Sequence, residues 1–312
     1  MPYRATVAGA MGELNDILVD LESSLGAMSG QPVALDGGIT NRNYQVTLGG
    51  NPYVVRRAGR DTELLGIDRE AEQLAGSTAA ELGIAPAVAG VVGGCLVNEF
   101  VACHALSARD VADGVEEIAP MLRAFHDSDV RLPVSFWVGD LLSRYAEIVA
   151  SRGGELPAAY AVAVRSTASI EAVLPRDGPR PAHNDLLAGN LIRAREGGRI
   201  MLVDWEYAGM GDPRFDLGNL SVNNGFGERE NERLLSAYLD ETPTDSHRAV
   251  LALMRVLSDA REGAWGVVQG VLSELDFDFG AYASEHLERL CDAVAEPAFG
   301  EHLAEAQGAR RW

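Results

Sequence analysis

The first hundred residues combine one amphipathic helical pattern with several short alternating stretches. Apolar residues at three- and four-residue steps predict a helix over residues 10–27. Alternating apolar and polar residues over 44–48 and 53–57, on either side of a Gly-Gly-Asn turn, predict a β-hairpin. A capped helix is predicted over 68–82 and a second hairpin over 88–101. This part of the chain is therefore predicted to form a small antiparallel sheet with one inserted helix.

After the first hundred residues the pattern changes to long helical periods. Ser107 and Asp110 form a capping-box-like start to a helix that ends near residue 126. The remaining predicted elements are helices over 138–151, 157–173, 227–239, 246–272 and 278–294 and short strands over 191–193 and 200–204. The sequence predicts an α+β fold, with a β-rich N-lobe over 1–102 and a helical C-lobe over 103–312.

Composition limits the possible functions of the chain and leaves the predicted fold as it is. The chain has 312 residues, 46 acidic against 26 basic side chains and a formal net charge of −20. Such a surface repels polyanions, so we expect no nucleic-acid partner and favour a cationic small molecule. The apolar runs are too short for a membrane span, and the three cysteines show no pairing pattern, which favours a cytoplasmic protein.

One motif carries most of the chemical information. His183, Asp185 and Asn190 have the spacing HxDxxxxN, and Asp204 ends the next apolar strand. Phosphoryl transfer needs a carboxylate to orient the attacking hydroxyl and oxygen ligands for magnesium, and this segment offers both. Asx side chains that only bind loop amides are the alternative, but the spacing together with the strand-end carboxylate favours a phosphotransferase.

The order of these elements resembles the protein-kinase-like fold, and within it the aminoglycoside phosphotransferase and choline/ethanolamine kinase families. Four blocks between residues 36 and 290 carry the resemblance: 37–44, 67–72, 183–190 and 203–219. The first and last of them look like choline kinase in particular. The resemblance implies an ATP- and Mg²⁺-dependent kinase that phosphorylates the hydroxyl of a cationic amino alcohol, with choline and ethanolamine as the first candidates.

The resemblance also implies roles for the motif residues. Asp185 would accept or orient the hydroxyl proton, and Asn190 and Asp204 would be the Mg²⁺ ligands. His183 is expected to support the loop by hydrogen bonds, with no direct part in the chemistry. Asp216 is expected to brace the same loop through backbone amides, or alternatively to cap the next helix.

In the N-lobe, the resemblance implies a nucleotide site built from two backbone segments. Gly38, Thr40 and Asn41 belong to a glycine turn that can bring amides close to phosphates. Glu99 and Val101 fall in the segment that joins the lobes, where backbone groups would meet the adenine.

Arg56 occupies the strand position where kinases carry a phosphate-binding lysine. Its planar guanidinium suits phosphate oxygens, so Arg56 is the candidate for the α- and β-phosphates. A carboxylate from the inserted helix should pair with it. Glu72 is the better match to the family pattern and Glu70 is the alternative, because two residues along a helix differ in direction by about 200°.

The acceptor pocket is predicted in the helical part. Glu206, Tyr207, Trp265 and Tyr282 offer the carboxylate and aromatic faces that a quaternary or protonated amine prefers. Glu262 stands where the family often carries a second tryptophan, three positions before Trp265. With this carboxylate in place of a second aromatic ring, a primary amine or a different amino alcohol becomes a more plausible acceptor.

Two alternatives stay open at this point. An aminoglycoside, another amino-sugar or thiamine would use the same mechanism with a different acceptor, since specificity depends on the helical lobe. A nucleotide-binding pseudokinase is suggested by the missing strand lysine alone, and intact Asp185, Asn190 and Asp204 argue against it. The sequence gives no indication of the oligomeric state.

Overall fold

The computed structural model describes residues 17–35, 42–57, 62–92 and 95–307. The strands are β1 Met28–Leu35, β2 Arg42–Leu48, β3 Asn51–Arg57, β4 Val88–Val92, β5 Cys95–Glu99, β6 Cys103–Ala105, β7 Arg180–Ala182, β8 Leu191–Ala194, β9 Ile200–Leu202 and β10 Gly209–Gly211. The helices are α1 (residues 17–25), α2 Arg69–Glu81, α3 Ala108–Asp113, α4 Val115–His126, α5 Val138–Ser151, α6 Ala158–Val173, α7 Arg214–Asn223, α8 Glu228–Leu239, α9 Asp245–Leu272, α10 Phe279–Ala295 and α11 Pro297–Ala306. The predicted α+β fold, with an N-terminal antiparallel sheet and a larger helical part, is confirmed.

The N-terminal sheet has five antiparallel strands in the order β1-β2-β3-β5-β4. The β2–β3 hairpin turns at Gly49 and Gly50, whose φ angles of 57° and 85° lie in the region that glycine adopts without steric cost. One face of the sheet packs against α1 through a small apolar core: Leu18, Leu21, Val46, Leu48, Val55 and Val97. The hairpin strand β3 thereby holds Arg56 at a fixed place on the sheet.

The inserted helix α2 begins where the sequence predicts. Asp68 is its N-cap and accepts a hydrogen bond of 2.9 Å from the amide of Ala71. Small residues line its buried face, with Ala71, Ala75 and Ala79 fully buried. Because these side chains are short, α2 lies close to the neighbouring elements, and Glu72 on the same face is buried as well.

The helical part is organised around α9, which packs against α5, α7, α10 and α11. The crossing of α7 and α9 is very close at Gly218. A Cβ atom added there would lie 2.5 Å from the backbone carbon of Met254, so only glycine fits. None of the helices in the described residues has the length and apolar character of a membrane span.

Helix prediction succeeds for the amphipathic helices and is wrong in three places. The single helix predicted from residue 107 to residue 126 is two helices, because Gly114 leaves helical geometry where it packs against Ile200. The pattern also omits α7 and α11. In α7 every residue from 214 to 222 is buried, so the helix has no polar face to reveal its period.

Strand prediction is wrong mainly for short or exposed strands. The alternation predicts four strands in the first sheet, whereas β1 adds a fifth whose side chains are mostly exposed. In the second half it omits β6, β7 and β10, each three residues long and too short to show a period. The chain leaves the first sheet after β5. The next strand, β6, pairs with β8 in another sheet. The lobe boundary at residue 102 stays a prediction.

Candidate active site

The motif loop brings three predicted residues together. A 3₁₀ turn, Ala188–Asn190, leads from the loop into β8, and the backbone oxygen of Asn190 accepts from the amide of Val203 at 2.9 Å. This bond fixes the loop beside Asp204. The side-chain nitrogen of Asn190 donates to the Asp185 carboxylate at 3.0 Å and to the Asp185 backbone oxygen at 2.8 Å.

Asp216 braces the loop from α7. Its carboxylate accepts from the amides of His183 at 2.8 Å and Asn184 at 2.7 Å, and it lies 2.9 Å from Nε2 of His126. Burial opposes ionisation of Asp216, but the His126 contact and the two amides lower its pKa below the ordinary value. Asn184 has a φ of 65°, so Asp216 holds a backbone conformation that costs about 1–3 kcal/mol in isolation.

His183 is placed as a support of the loop. Its Nδ1 accepts from the amide of Asp185 at 3.3 Å, so Nε2 carries the proton that it donates to the oxygen of Val203 at 3.0 Å. Burial lowers the pKa of this imidazole, which keeps it neutral. The ring also packs on Trp205, with centroids 4.5 Å apart.

Arg56 is the centre of a cluster of three carboxylates. Its Nη1 lies 3.0 Å from Glu72, and its Nη2 contacts Asp204 and lies 3.2 Å from Glu206. The partner from the inserted helix is therefore Glu72, while Glu70 is exposed on another face of α2. The surrounding carboxylates outweigh the effect of burial and raise the pKa of Arg56, which stays fully charged.

Arg69 joins this cluster, and sequence reasoning omitted it. It lies 2.5 Å from Glu72 and 3.8 Å from Glu206, and it donates to Thr62 at 3.1 Å. Its position directly after the cap residue Asp68 is the only signal in the sequence: a residue in the first turn of α2 shares a face with Glu72.

All the predicted acceptor residues except Glu206 form one connected group. The Trp265 indole donates to the Tyr207 hydroxyl at 2.8 Å, and the Tyr282 hydroxyl donates to Glu262 at 2.8 Å. The rings of Trp265 and Tyr282 meet edge to face, with centroids 5.6 Å apart. In the 3₁₀ turn Trp205–Tyr207, the side chain of Glu206 contacts Arg56, whereas the side chain of Tyr207 contacts Trp265.

Arg261, which sequence reasoning omitted, lies in the middle of the acceptor residues. Its Nη1 is 2.8 Å from both oxygens of Glu262 and 3.1 Å from Asp185, and its guanidinium carbon lies 4.4 Å from the centroid of the Tyr207 ring. No clear sequence signal marks Arg261, because its neighbours Asp259 and Glu262 are charged and would equally suit an exposed helix face.

The two carboxylates that contact Arg261 have pKa values shifted in opposite directions. Burial raises the pKa of Asp185 to about 8, even though Arg261 favours its ionised form. Glu262 is equally buried, but Arg261 and the hydroxyl of Tyr282 lower its pKa. Asp185 can therefore take up a proton near neutral pH, whereas Glu262 stays ionised and bound to its donors.

Asn219 on α7 joins the loop to α9. Its side-chain oxygen accepts from the amide of Leu186 at 2.5 Å, and its nitrogen donates to Ser258 at 3.1 Å and Glu262 at 3.0 Å. The loop that carries Asp185 is thus tied to the helix that carries Arg261.

The remaining predicted residues are peripheral or outside the described ranges. Glu99 ends β5 with an exposed side chain, and Val101 lies in the segment between β5 and β6. Gly38, Thr40 and Asn41 fall outside the described residues, so the glycine turn stays a prediction.

A buried carboxylate on a braced loop, with an asparagine and a strand-end aspartate beside it and a sheet arginine paired to a helix glutamate, defines a phosphotransferase site on a kinase-like fold. The phosphotransferase enzyme family matches residues 32–253, and the chain belongs to that family. It is an enzyme that transfers a phosphoryl group to an alcohol.

Within the family the chain is similar to choline and ethanolamine kinases. A choline/ethanolamine kinase family protein from Mesorhizobium loti is 27% identical, covering 94% of this chain and 100% of that chain with a TM-score of 0.77. The choline kinase LicA from Streptococcus pneumoniae is 27% identical over 90% of this chain and 99% of that chain, with a TM-score of 0.75. Probable choline kinase 1 of Arabidopsis thaliana is 25% identical over 88% of each chain.

Proposed function

We propose that this protein transfers the γ-phosphoryl group of ATP to the hydroxyl of a small amino alcohol of the choline and ethanolamine class. The observation that carries the proposal is the position of Asp185, buried and held by Asn190 on a loop that Asp216 braces. The names of its relatives support the acceptor class.

In this reaction the acceptor oxygen attacks the γ-phosphorus, the bond from that phosphorus to the β–γ bridging oxygen breaks, and ADP leaves. The hydroxyl proton passes to Asp185. Burial raises the pKa of Asp185, which makes it a stronger base than a solvated aspartate. Most of the rate enhancement would come from positioning and electrostatic stabilisation.

The donor set fits Mg²⁺. Asn190 uses its nitrogen to bind Asp185, which leaves its side-chain oxygen as the acceptor, and Asp204 supplies a carboxylate. Mg²⁺ that arrives with a nucleotide needs only one or two such ligands, consistent with the finding that no cage of three or more His, Cys, Asp or Glu side chains exists in the described part of the chain. Bound there, the ion would neutralise charge on the phosphates.

Arg56 would position the nucleotide. It is buried near the end of the central strand β3, already oriented by Glu72, and in contact with the proposed metal ligand Asp204. The glycine turn predicted from the sequence, with Gly38 in it, would supply backbone amides to the phosphates. The acceptor would lie next to Asp185, on the side of α9.

The test is an ADP-release assay with MgATP and a panel of choline, ethanolamine, thiamine and several aminoglycosides. Turnover confined to amino alcohols supports the proposal, and turnover confined to an aminoglycoside or thiamine would overturn the acceptor class. Asp204→Asn is the companion variant: it should weaken nucleotide affinity in Mg²⁺ and leave the weaker affinity without Mg²⁺ unchanged, as measured by calorimetry. ATP binding without turnover on any alcohol would indicate a pseudokinase.

A further inference from the structure

Arg261 occupies the place where the sequence predicts the positive charge of the substrate. Its guanidinium lies over the face of Tyr207, at 4.4 Å, and binds both oxygens of Glu262. An aromatic face and a carboxylate are the two features that recognise an organic cation. In this protein both are already engaged by a side chain that is 1% exposed.

The charge of Glu262 is already balanced by donors from the protein, without a cation from the substrate. Besides Arg261 it accepts from Asn219 at 3.0 Å and from Tyr282 at 2.8 Å. The other carboxylate predicted for the pocket, Glu206, lies 3.2 Å from Arg56. A quaternary ammonium group placed beside Asp185 would therefore meet the positive charge of Arg261 at close range in a poorly solvated site, where like charges repel strongly.

One edge of the Arg261 guanidinium is unused. All of its contacts with carboxylates run through Nη1, and its Nε and Nη2 are buried without a hydrogen-bond partner in the part of the chain that the structure describes. A buried donor without a partner destabilises the protein, because it has lost its hydrogen bonds to water. These two N–H groups lie side by side on a planar group, with the spacing that matches the two oxygens of a carboxylate.

We propose that Arg261 is a specificity-determining residue and that the acceptor is an amino alcohol that also carries a carboxylate, that is, a small hydroxyamino acid. This inference rests on the proposed function and narrows its acceptor class. Since Nη1 of Arg261 is 3.1 Å from Asp185, a carboxylate bound to the free edge would hold the hydroxyl of the same small molecule next to Asp185. Choline and ethanolamine lack the group that this edge binds.

The experiment compares acceptors that differ in the carboxylate alone. ADP release is measured with MgATP on L-serine, L-homoserine, serinol, ethanolamine and choline. For the wild-type protein kcat/KM should be about 10- to 100-fold higher for a hydroxyamino acid than for serinol or ethanolamine. Equal or lower values for both acids, with ethanolamine or choline turned over, would overturn the inference and leave the proposed function intact.

Variants on α9 separate recognition from support of the loop. Arg261→Met should lower the ratio of kcat/KM between acid and serinol to about one, mostly through KM for the acid. Arg255→Met is the matched control, because Arg255 is a partly buried arginine of the same helix that binds Ser221 and the oxygen of Phe226 instead; its ratio should equal that of wild type. An Arg261→Met variant that loses kcat equally for every acceptor would show that Arg261 only supports Asp185.

Direct binding keeps the test valid if Arg261→Met does not fold. Calorimetry on the wild-type protein with MgADP should detect L-serine or L-homoserine and not serinol at the same concentration. Equal binding of serinol would contradict the inference. If no acceptor in the set is phosphorylated, choline and ethanolamine included, the proposed function itself fails.

Discussion

Two buried arginines organise the two halves of the site, and they do so in opposite ways. Arg56 on β3 gathers carboxylates from separate elements, so its contacts connect the sheet to α2 and to the turn after β9. Arg261 on α9 binds its own neighbour Glu262 and the loop residue Asp185 within the helical part. Arg56 holds elements together. Arg261 has an edge without a hydrogen-bond partner among the described residues, where we propose that the acceptor binds.

The largest expected effect concerns the chemistry at the Arg261 end. Asp185→Asn should lower kcat by about 10²- to 10⁴-fold, because it removes the proton acceptor while it keeps the size of the side chain. Nucleotide affinity, which depends on the Arg56 end, should stay within about twofold of wild type. Steady-state kinetics together with ATP calorimetry provide both values. A joint loss would mean that the two clusters act as one unit.

The next effect tests whether Arg56 holds the elements together. Arg56→Met leaves Glu72 and Glu206 buried beside Asp204 with one cation fewer, and it should lower the free energy of unfolding by about 3 kcal/mol or more. Arg69→Met is the control within the same cluster; since Arg69 is about a quarter exposed, we expect a loss of roughly 1 kcal/mol. Urea unfolding measures both, and equal losses would remove the special role of Arg56.

An effect of comparable size sharpens the electrostatic difference between the clusters. In the folded protein Asp185 has a pKa of about 8, far above its ordinary value, so between these two values the folded state holds a proton that the unfolded state has lost. Stability should therefore fall as pH rises from about 4 to about 8, by at most about 1.4 kcal/mol per pH unit. Asp185→Asn lacks this titrating group. Without nucleotide, its free energy of unfolding relative to that of wild type should therefore be higher at pH 8 than at pH 5.5. A constant difference between the two proteins would show that Asp185 is already ionised.

The smallest effect distinguishes two glutamates of one helix turn. Glu72→Gln should cost about 1.5–3 kcal/mol, because Glu72 is buried against Arg56 and Arg69. Glu70→Gln changes an exposed side chain and should stay within about 0.5 kcal/mol of wild type. Thermal or urea unfolding of the pair is sufficient, and similar values would mean that the cluster adds nothing to stability.

The sequence predicts the motif loop well because its information is local. His183, Asp185 and Asn190 lie within one short loop, and Asp204 follows just after β9. The choice between Glu70 and Glu72 could not be made in this way. It depends on the rotation of α2 relative to Arg56, which the packing of its alanine face determines.

The acceptor side shows the limit of the same reasoning. Tyr207, Trp265 and Tyr282 could be identified as a group, since aromatic residues at these places match a family pattern. Their relation to Arg261 could not, because a charged residue in a long helix is ordinarily solvated. It is buried because α9 packs against several helices, among them α7, which has no amphipathic pattern to predict it.

The contact between Gly218 and the backbone of Met254 has a consequence for how such enzymes diverge. It fixes α7 and α9 at one point, about two helical turns before Arg261. With the acceptor bound at Arg261 as we propose, substitutions there or at Glu262 would change the acceptor, while the same crossing keeps Asp216 and the loop that carries Asp185 in register. A descendant of this protein could acquire a new substrate through α9 and inherit the old chemistry unchanged.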